Sequence, residues 1–90
     1  MERFEETIVL TNSNGLHVRP AAVFVQLASK YDSTVNLEKD GESVDGKSII
    51  AILSLGLNCG SSVTLIVDGD DAQEAFPELK KFLETNHAEG

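Results

Sequence analysis

Gly46-Lys47-Ser48-Ile49-Ile50-Ala51-Ile52-Leu53-Ser54-Leu55-Gly56 is the stretch whose reading decides the fold. Its β-branched isoleucines suit a strand. Ser48 in front and Gly56 behind bracket a short helix instead. A serine oxygen can accept from a free amide of a helix's first turn, and glycine takes the left-handed backbone that closes the last. Read as a helix, the segment is too apolar for two turns with one buried face. Some of Ile49, Ile50 and Leu53 must then face water as a small apolar patch, the kind of surface that docks a partner. A fully buried core helix is the competing reading.

Before this helix, Thr34 to Glu38 alternates, with Val35 and Leu37 inward. Asp40-Gly41 is a two-residue hairpin signal, and Glu42 to Asp45 returns as a short, charged edge strand. After it, Val63, Leu65 and Val67 alternate with Ser62, Thr64 and Ile66 in a last strand. Asp68-Gly69-Asp70-Asp71 then turns the chain. Asp71 with Glu74 fits a capping box, although Ser or Thr is the usual first residue. Ala72, Ala75, Phe76, Leu79, Phe82 and Leu83 follow a helical period. Pro77 interrupts that period. It costs a mid-helix position about 3 kcal/mol and predicts a kink, or a first turn that breaks and restarts.

Toward the N-terminus, Phe4, Ile8 and Leu10 at even spacing mark a first strand. The polar loop Thr11-Asn12-Ser13-Asn14-Gly15 follows. A helix from about His17 to Lys30 carries Ala21, Phe24, Val25 and Ala28 on one face, with Leu27 widening the stripe. Pro20 fits only near its start and biases Arg19 away from helical angles. The helix begins at Pro20 with His17 just outside it, or at Val18 with His17 as N-cap. The order βαββαβα gives an α+β two-layer architecture, with three helices covering one face of a four-stranded sheet. Pattern alone leaves the strand order open and does not exclude a ferredoxin-like topology.

Ninety residues predict one domain over 1–90, with a polar tail fraying over 86–90 and His87 solvated within it. The net charge of −8 speaks against nucleic acid and anionic membrane surfaces. No apolar run approaches the roughly 20 residues of a membrane span, so no membrane insertion is expected. The acidic start Met1-Glu2-Arg3-Phe4-Glu5-Glu6 does not read as a signal peptide, which points to the cytoplasm. Cys59 is the only cysteine, so no internal disulfide can form. It reads as a buried or loop thiol without chemistry. No Cys/His cluster has metal-ligand spacing, and neither a metal nor a cofactor is implied.

The chemistry gathers at Asn14-Gly15-Leu16-His17-Val18-Arg19-Pro20-Ala21-Ala22. A glycine turn, a histidine and an arginine stand at the mouth of an apolar helix. Such a mouth carries unpaired N–H groups and the positive end of the helix dipole, so it suits phosphate. A histidine there is discouraged from holding a proton, and a neutral imidazole nitrogen is a nucleophile. Arg19 can add charge-assisted hydrogen bonds to a phosphoryl group. Together these features suggest a phosphoryl carrier. The competing reading is a non-catalytic α+β interaction module in which His17 is an inert cap.

Asn14 to Ala22 also resembles the active-site sequence of HPr, the histidine-containing phosphocarrier family of the bacterial sugar phosphotransferase system. The family pattern has a glycine, an aliphatic residue, His, a small residue, Arg, Pro and Ala in this order, with Val18 at the variable place. Gly46 to Gly56 resembles the family's second signature, at the family's spacing. The resemblance covers nearly the whole chain. It implies an open-faced β-sandwich of four antiparallel strands with the helices on one face, and it favours the helical reading of Ile49–Leu55. It further implies enzyme I as phosphoryl donor, enzyme IIA domains of sugar permeases as acceptors, and Nδ1 of His17 as the phosphorylated atom. Arg19 would steady the phosphate, supported by Asn14 and by the amides at the helix start, Val18 among them. Ile49, Ile50 and Leu53 would dock successive partners, and Ser48 would be a regulatory phosphorylation site for HPr kinase/phosphorylase. The protein would act as a stoichiometric carrier and not an enzyme, as a monomer. Three features depart from the family: Pro77 in a helix that is usually uninterrupted, isoleucine and leucine where many relatives have methionine or phenylalanine, and few lysines near the first helix. The first touches stability and not the site; the other two keep open a nitrogen-branch or regulatory paralogue with different partners.

Overall fold

The computed structural model describes residues 2–11 and 16–85, so Asn14 and the tail expected to fray lie outside the described residues. The elements run β1 (Glu2–Val9), α1 (Val18–Ala28), β2 (Thr34–Lys39), β3 (Glu42–Asp45), α2 (Ile49–Ser54), β4 (Ser62–Gly69) and α3 (Ala72–Glu84). All pairings are antiparallel, and the strand order is β1-β4-β2-β3. This order settles what the residue pattern left open. The last strand lies inside the sheet, between the first and the second.

The alternation in β4 is why it sits there. Val63, Leu65 and Val67 point to the helical side and are fully buried, while Thr64, Ile66 and Asp68 are only half-covered on the other. Phe24 of α1, Ile52 of α2 and Leu79 of α3 close over the inward row, each without exposed surface. The opposite face stays open and polar; Thr7 and Thr64, side by side across β1 and β4, share a hydroxyl hydrogen bond of 2.9 Å there. Phe4 stacks on Phe76 at 5.4 Å between ring centres and Phe24 tilts against Phe82 at 6.1 Å, locking α3 to β1 and α1. The β2–β3 turn falls at Asp40-Gly41 as expected, with φ of +54° and +85°, the left-handed pair that matches the twist of a hairpin.

One expectation for α3 is corrected and a second is narrowed. Asp71 is its N-cap residue, but its side chain makes no capping bond. The carboxylate turns instead to the α1–β2 loop, accepting from the amides of Asp32 (2.8 Å) and Ser33 (2.9 Å) and from the buried Ser33 hydroxyl. Those hydrogen bonds hold the Asp71 carboxyl below its usual range, the Ser33 hydroxyl contributing most. Of the two outcomes expected at Pro77, a kink or a break and restart, the second is not found. The helix does not break and restart; it is one element from Ala72 to Glu84. Pro77 faces solvent, so its ring displaces no core residue, and the buried face of Ala75, Leu79, Phe82 and Leu83 carries the helix past the missing amide. Nearby, the Tyr31 phenol donates to Glu78, which also pairs with Lys30 at 3.1 Å. The hydrogen bond to Glu78, then burial, pushes the Tyr31 pKa up to about 12.

Two measurements test these features. Asp71 has a depressed folded pKa, so its contribution is present above the unfolded carboxyl value near 4 and is lost as pH falls through the folded value. Asp71→Asn should therefore lower the urea midpoint at pH 7, and its gap from wild type should narrow on acidification. Pro77→Ala should raise stability by up to about 3 kcal/mol, because it restores an amide donor and removes the ring clash; an unchanged or lower melting temperature would contradict this.

Candidate functional site

At the mouth of α1, His17 takes the N-cap position in extended backbone, with φ −87° and ψ −166°. Of the two starts the sequence allows, Val18 is therefore the one adopted. Arg19 is helical in spite of the proline behind it, because Pro20, Ala21 and Phe24 are all buried from this register. The His17 carbonyl accepts the first helical bond, from the Ala21 amide at 2.9 Å. Its imidazole makes no capping bond and is exposed. Pro20 has no N–H, so the donors of the first turn left without an intrahelical partner are the amides of Val18 and Arg19. Arg19 is exposed and forms no ion pair among the described residues, and the first turn contains no acidic side chain. An uncapped positive helix end, an exposed imidazole and a guanidinium without an ion pair among the described residues thus fall within three consecutive residues.

Tertiary contacts bring a second segment to them. The Leu10 amide donates to Ser61 O (2.9 Å) and the Gly60 amide to Leu10 O (2.8 Å), extending the β1–β4 pairing past the strand ends. The Leu16 amide then donates to Leu57 O at 3.0 Å. Both leucines are buried, so the residue before His17 is stitched to the loop after α2. The result is an open cavity of about 360 Å³ lined by Leu16, His17, Val18, Leu53, Gly56, Leu57 and Asn58. Sequence reasoning singled out His17, Val18 and Leu53 but not their neighbours. Gly56 reads only as a helix stop, with φ +64°, and nothing local marks Leu57 or Asn58 as site residues. Cys59, in the same loop, is an exposed thiol.

α2 is a helix, as its brackets predict. Ser48 is its N-cap, and its oxygen accepts from the Ala51 amide at 3.2 Å. At the other end the Lys39 ammonium donates to the carbonyls of Leu55 (3.4 Å) and Gly56 (3.1 Å), placing a cation where the helix dipole is negative. The fully buried reading fails: Ile50 is 82% exposed and Ile49 36%, while Ile52 supplies the core contact. Leu53 is half-buried. Of these candidate docking residues only Leu53 reaches the His17 cavity. Ser48, Ile49 and Ile50 lie at the far end of α2, near the end of α1, where Lys47 donates to Tyr31 O at 2.7 Å. The two helices therefore pack side by side and antiparallel.

Comparison with known proteins agrees with this geometry. The family model "PTS HPr component phosphorylation site" matches residues 4–85. The HPr-like protein Crh of Halalkalibacterium halodurans is 44% identical over 80 residues, covering 89% of this chain and 95% of that protein. Phosphocarrier protein HPr of Borreliella burgdorferi is 42% identical over 72 residues, covering 80% and 84%. The crystal structure of the phosphocarrier HPr from Bacillus anthracis superimposes with a TM-score of 0.87 at 38% identity, covering 91% of this chain and 98% of its own. A crystal structure of Crh from Bacillus subtilis, described as a dimer with a swapping domain, has a TM-score of 0.73 at 45% identity, covering 84% and 87%. The chain belongs to the HPr family, the phosphocarriers of the phosphotransferase system.

Ser48→Ala should lower stability by about 1 kcal/mol in urea unfolding, since it removes the cap of a two-turn helix. A loss near zero would mean that water satisfies the Ala51 amide equally well.

Proposed function

We propose that the protein carries a phosphoryl group on Nδ1 of His17, accepting it from phosphorylated enzyme I and passing it to enzyme IIA domains of sugar permeases. The observation that carries this reading is the mouth of α1, where an exposed imidazole that makes no capping bond stands beside the amides of Val18 and Arg19, which have no partner among the described residues. As the P–N bond to His17 forms, the bond to the donor breaks, and the phosphoryl oxygens keep their charge throughout. Stabilising that charge is what the site offers: the helix dipole, the amides and the Arg19 guanidinium. Asn14 is assigned a supporting hydrogen bond. Transfer onward reverses the step, so the protein is a stoichiometric intermediate and not an independent enzyme, and it needs no cofactor. Leu53 at the cavity, with Ile49 and Ile50 beyond it, forms the docking surface.

The working state is one HPr-like domain over 1–90, monomeric and cytoplasmic. Charges along β1 at Glu2, Arg3, Glu5 and Glu6, and the brevity of β3, discourage strand pairing between copies. The Crh structures described as dimers define the alternative. Ser48 is assigned as a phosphorylation site for HPr kinase/phosphorylase. Added charge there would sit beside Ile49 and Ile50 and oppose docking. The kinship to Crh, the catabolite repression protein of Bacillus subtilis, favours a second, regulatory reading with other partners.

Incubation with phosphoenolpyruvate and purified enzyme I should add one phosphate that is lost in acid. His17→Ala should abolish the label, and Arg19→Ala should slow it by about tenfold or more, the loss of roughly one charged hydrogen bond. Failure with every enzyme I would leave the regulatory reading, or the interaction module with an inert His17, ahead.

A further inference from the structure

The cavity at His17 is walled by two segments far apart in the chain. His17 and Val18 belong to the start of α1, and Leu57 and Asn58 to the loop after α2. Apart from His17, the only lining residue with a polar side chain is Asn58; the others are leucines, Val18 and Gly56. Among the described residues no hydrogen bond joins the His17 imidazole to Asn58, so the two polar groups share the cavity without closing it.

Asn58 is held firmly for an exposed residue. Its amide donates to Ser61 Oγ at 3.0 Å, and its carbonyl accepts from the Ser61 amide at 2.9 Å. Ser61 O accepts in turn from the Leu10 amide, which ties this turn to the end of β1. The Asn58 side chain is fixed as well: Nδ2 donates to Gly56 O at 3.2 Å. A carbonyl only accepts, so this bond decides which end of the carboxamide faces Gly56. Gly56 O also accepts from the Lys39 ammonium at 3.1 Å, which sets a cation on the same carbonyl. One N–H of the carboxamide is thus an anchor, and the second has no partner among the described residues. A donor held in place within an otherwise apolar wall is organised in advance for an acceptor.

Resting on the carrier function proposed above, we propose that Asn58 is a phosphoryl-binding residue, donating its second side-chain N–H to an oxygen of the group carried on His17. The amides of Val18 and Arg19 hold the phosphoryl oxygens from the α1 side, and the carboxamide holds one from the opposite wall. In transfer the three equatorial oxygens surround the axis between donor and acceptor, so ligands on two sides steady the group without blocking the in-line path. The bond exists only while the phosphoryl group is present or arriving. It therefore favours the phosphorylated state and the transition state over the free protein.

The test equilibrates the full-length protein with phosphoenolpyruvate, pyruvate and the enzyme I that labels His17. The phosphorylated fraction is read by phosphorus NMR as the ratio of the two small molecules is varied. Asn58→Ala should lower the equilibrium constant for phosphoryl acceptance by about tenfold, the loss of one hydrogen bond to a charged group. Asn58→Asp keeps the shape but replaces the donor with a carboxylate, and should lower it further. Kd of unphosphorylated Asn58→Ala for enzyme I, by titration calorimetry, should stay within about twofold of wild type. Circular dichroism should show both variants folded. An equilibrium constant unchanged in both variants, whether or not Kd weakens, would overturn the inference: Asn58 would then be a structural or partner contact, and the carrier function would stand. If no enzyme I labels the wild-type protein, the carrier function fails and this inference with it.

Discussion

The placement of β4 between β1 and β2 is the constraint on which the rest depends. β4 is the last strand in the chain, yet it is hydrogen-bonded along both edges, and its inward row of Val63, Leu65 and Val67 is the floor of the core. β1 therefore has no neighbour until residues 62–69 arrive. When they pair, the ladder extends past the strand ends through Leu10, Gly60 and Ser61. Leu16 and Leu57 are drawn together in the same way, which brings His17 against the end of α2. The site is a consequence of strand order, assembled from segments about forty residues apart in the chain, and contacts of that separation are costly to close.

Helix ends are treated differently according to their use. α2 is capped by the Ser48 hydroxyl at its start and by the Lys39 ammonium at its end. The start of α3 lends its carboxylate to the preceding loop at Asp32 and Ser33. α1 also lacks a side-chain cap: its N-cap is an imidazole that makes no capping bond, and proline removes one donor from the first turn. The first turns of α1 and α3 thus both lack a side-chain cap, and of the two only α1 has an exposed imidazole at its N-cap.

Much of the fold was legible because its signals are local. Asp40-Gly41 dictates a two-residue turn, since few other pairs tolerate two left-handed residues in succession. Ser48 and Gly56 outweighed the isoleucines between them, because end effects dominate a helix of two turns. Alternation in residues 34–38 and 62–67 placed the strands to within a residue or two. The misreadings came where a side chain had a choice of partners. The Asp71 carboxylate could bond its own helix or the loop at Ser33, and sequence proximity does not show which donor is nearer. Pro77 looked disruptive because its local cost is definite, while the burial of Ala75, Leu79, Phe82 and Leu83 that offsets it is visible only in three dimensions.

The candidate site divides along the same line. His17, Arg19, Pro20 and the apolar run of α1 are consecutive or helically periodic, so an imidazole and a guanidinium at a helix mouth could be read from residue order, and so could Ser48 at the start of α2. Sequence determined the elements, their turns and caps, and the chemistry available at the start of α1, because hydrogen bonding within a few residues and the period of side chains decide these. Tertiary structure decided which strand lies beside which, that Leu57 and Asn58 complete the cavity at His17, that Ile50 faces water while Ile52 is buried, and that Asp71 ties a loop instead of capping its helix. Each of those outcomes depends on surfaces contributed by segments far apart in the chain, whose mutual burial no local pattern records.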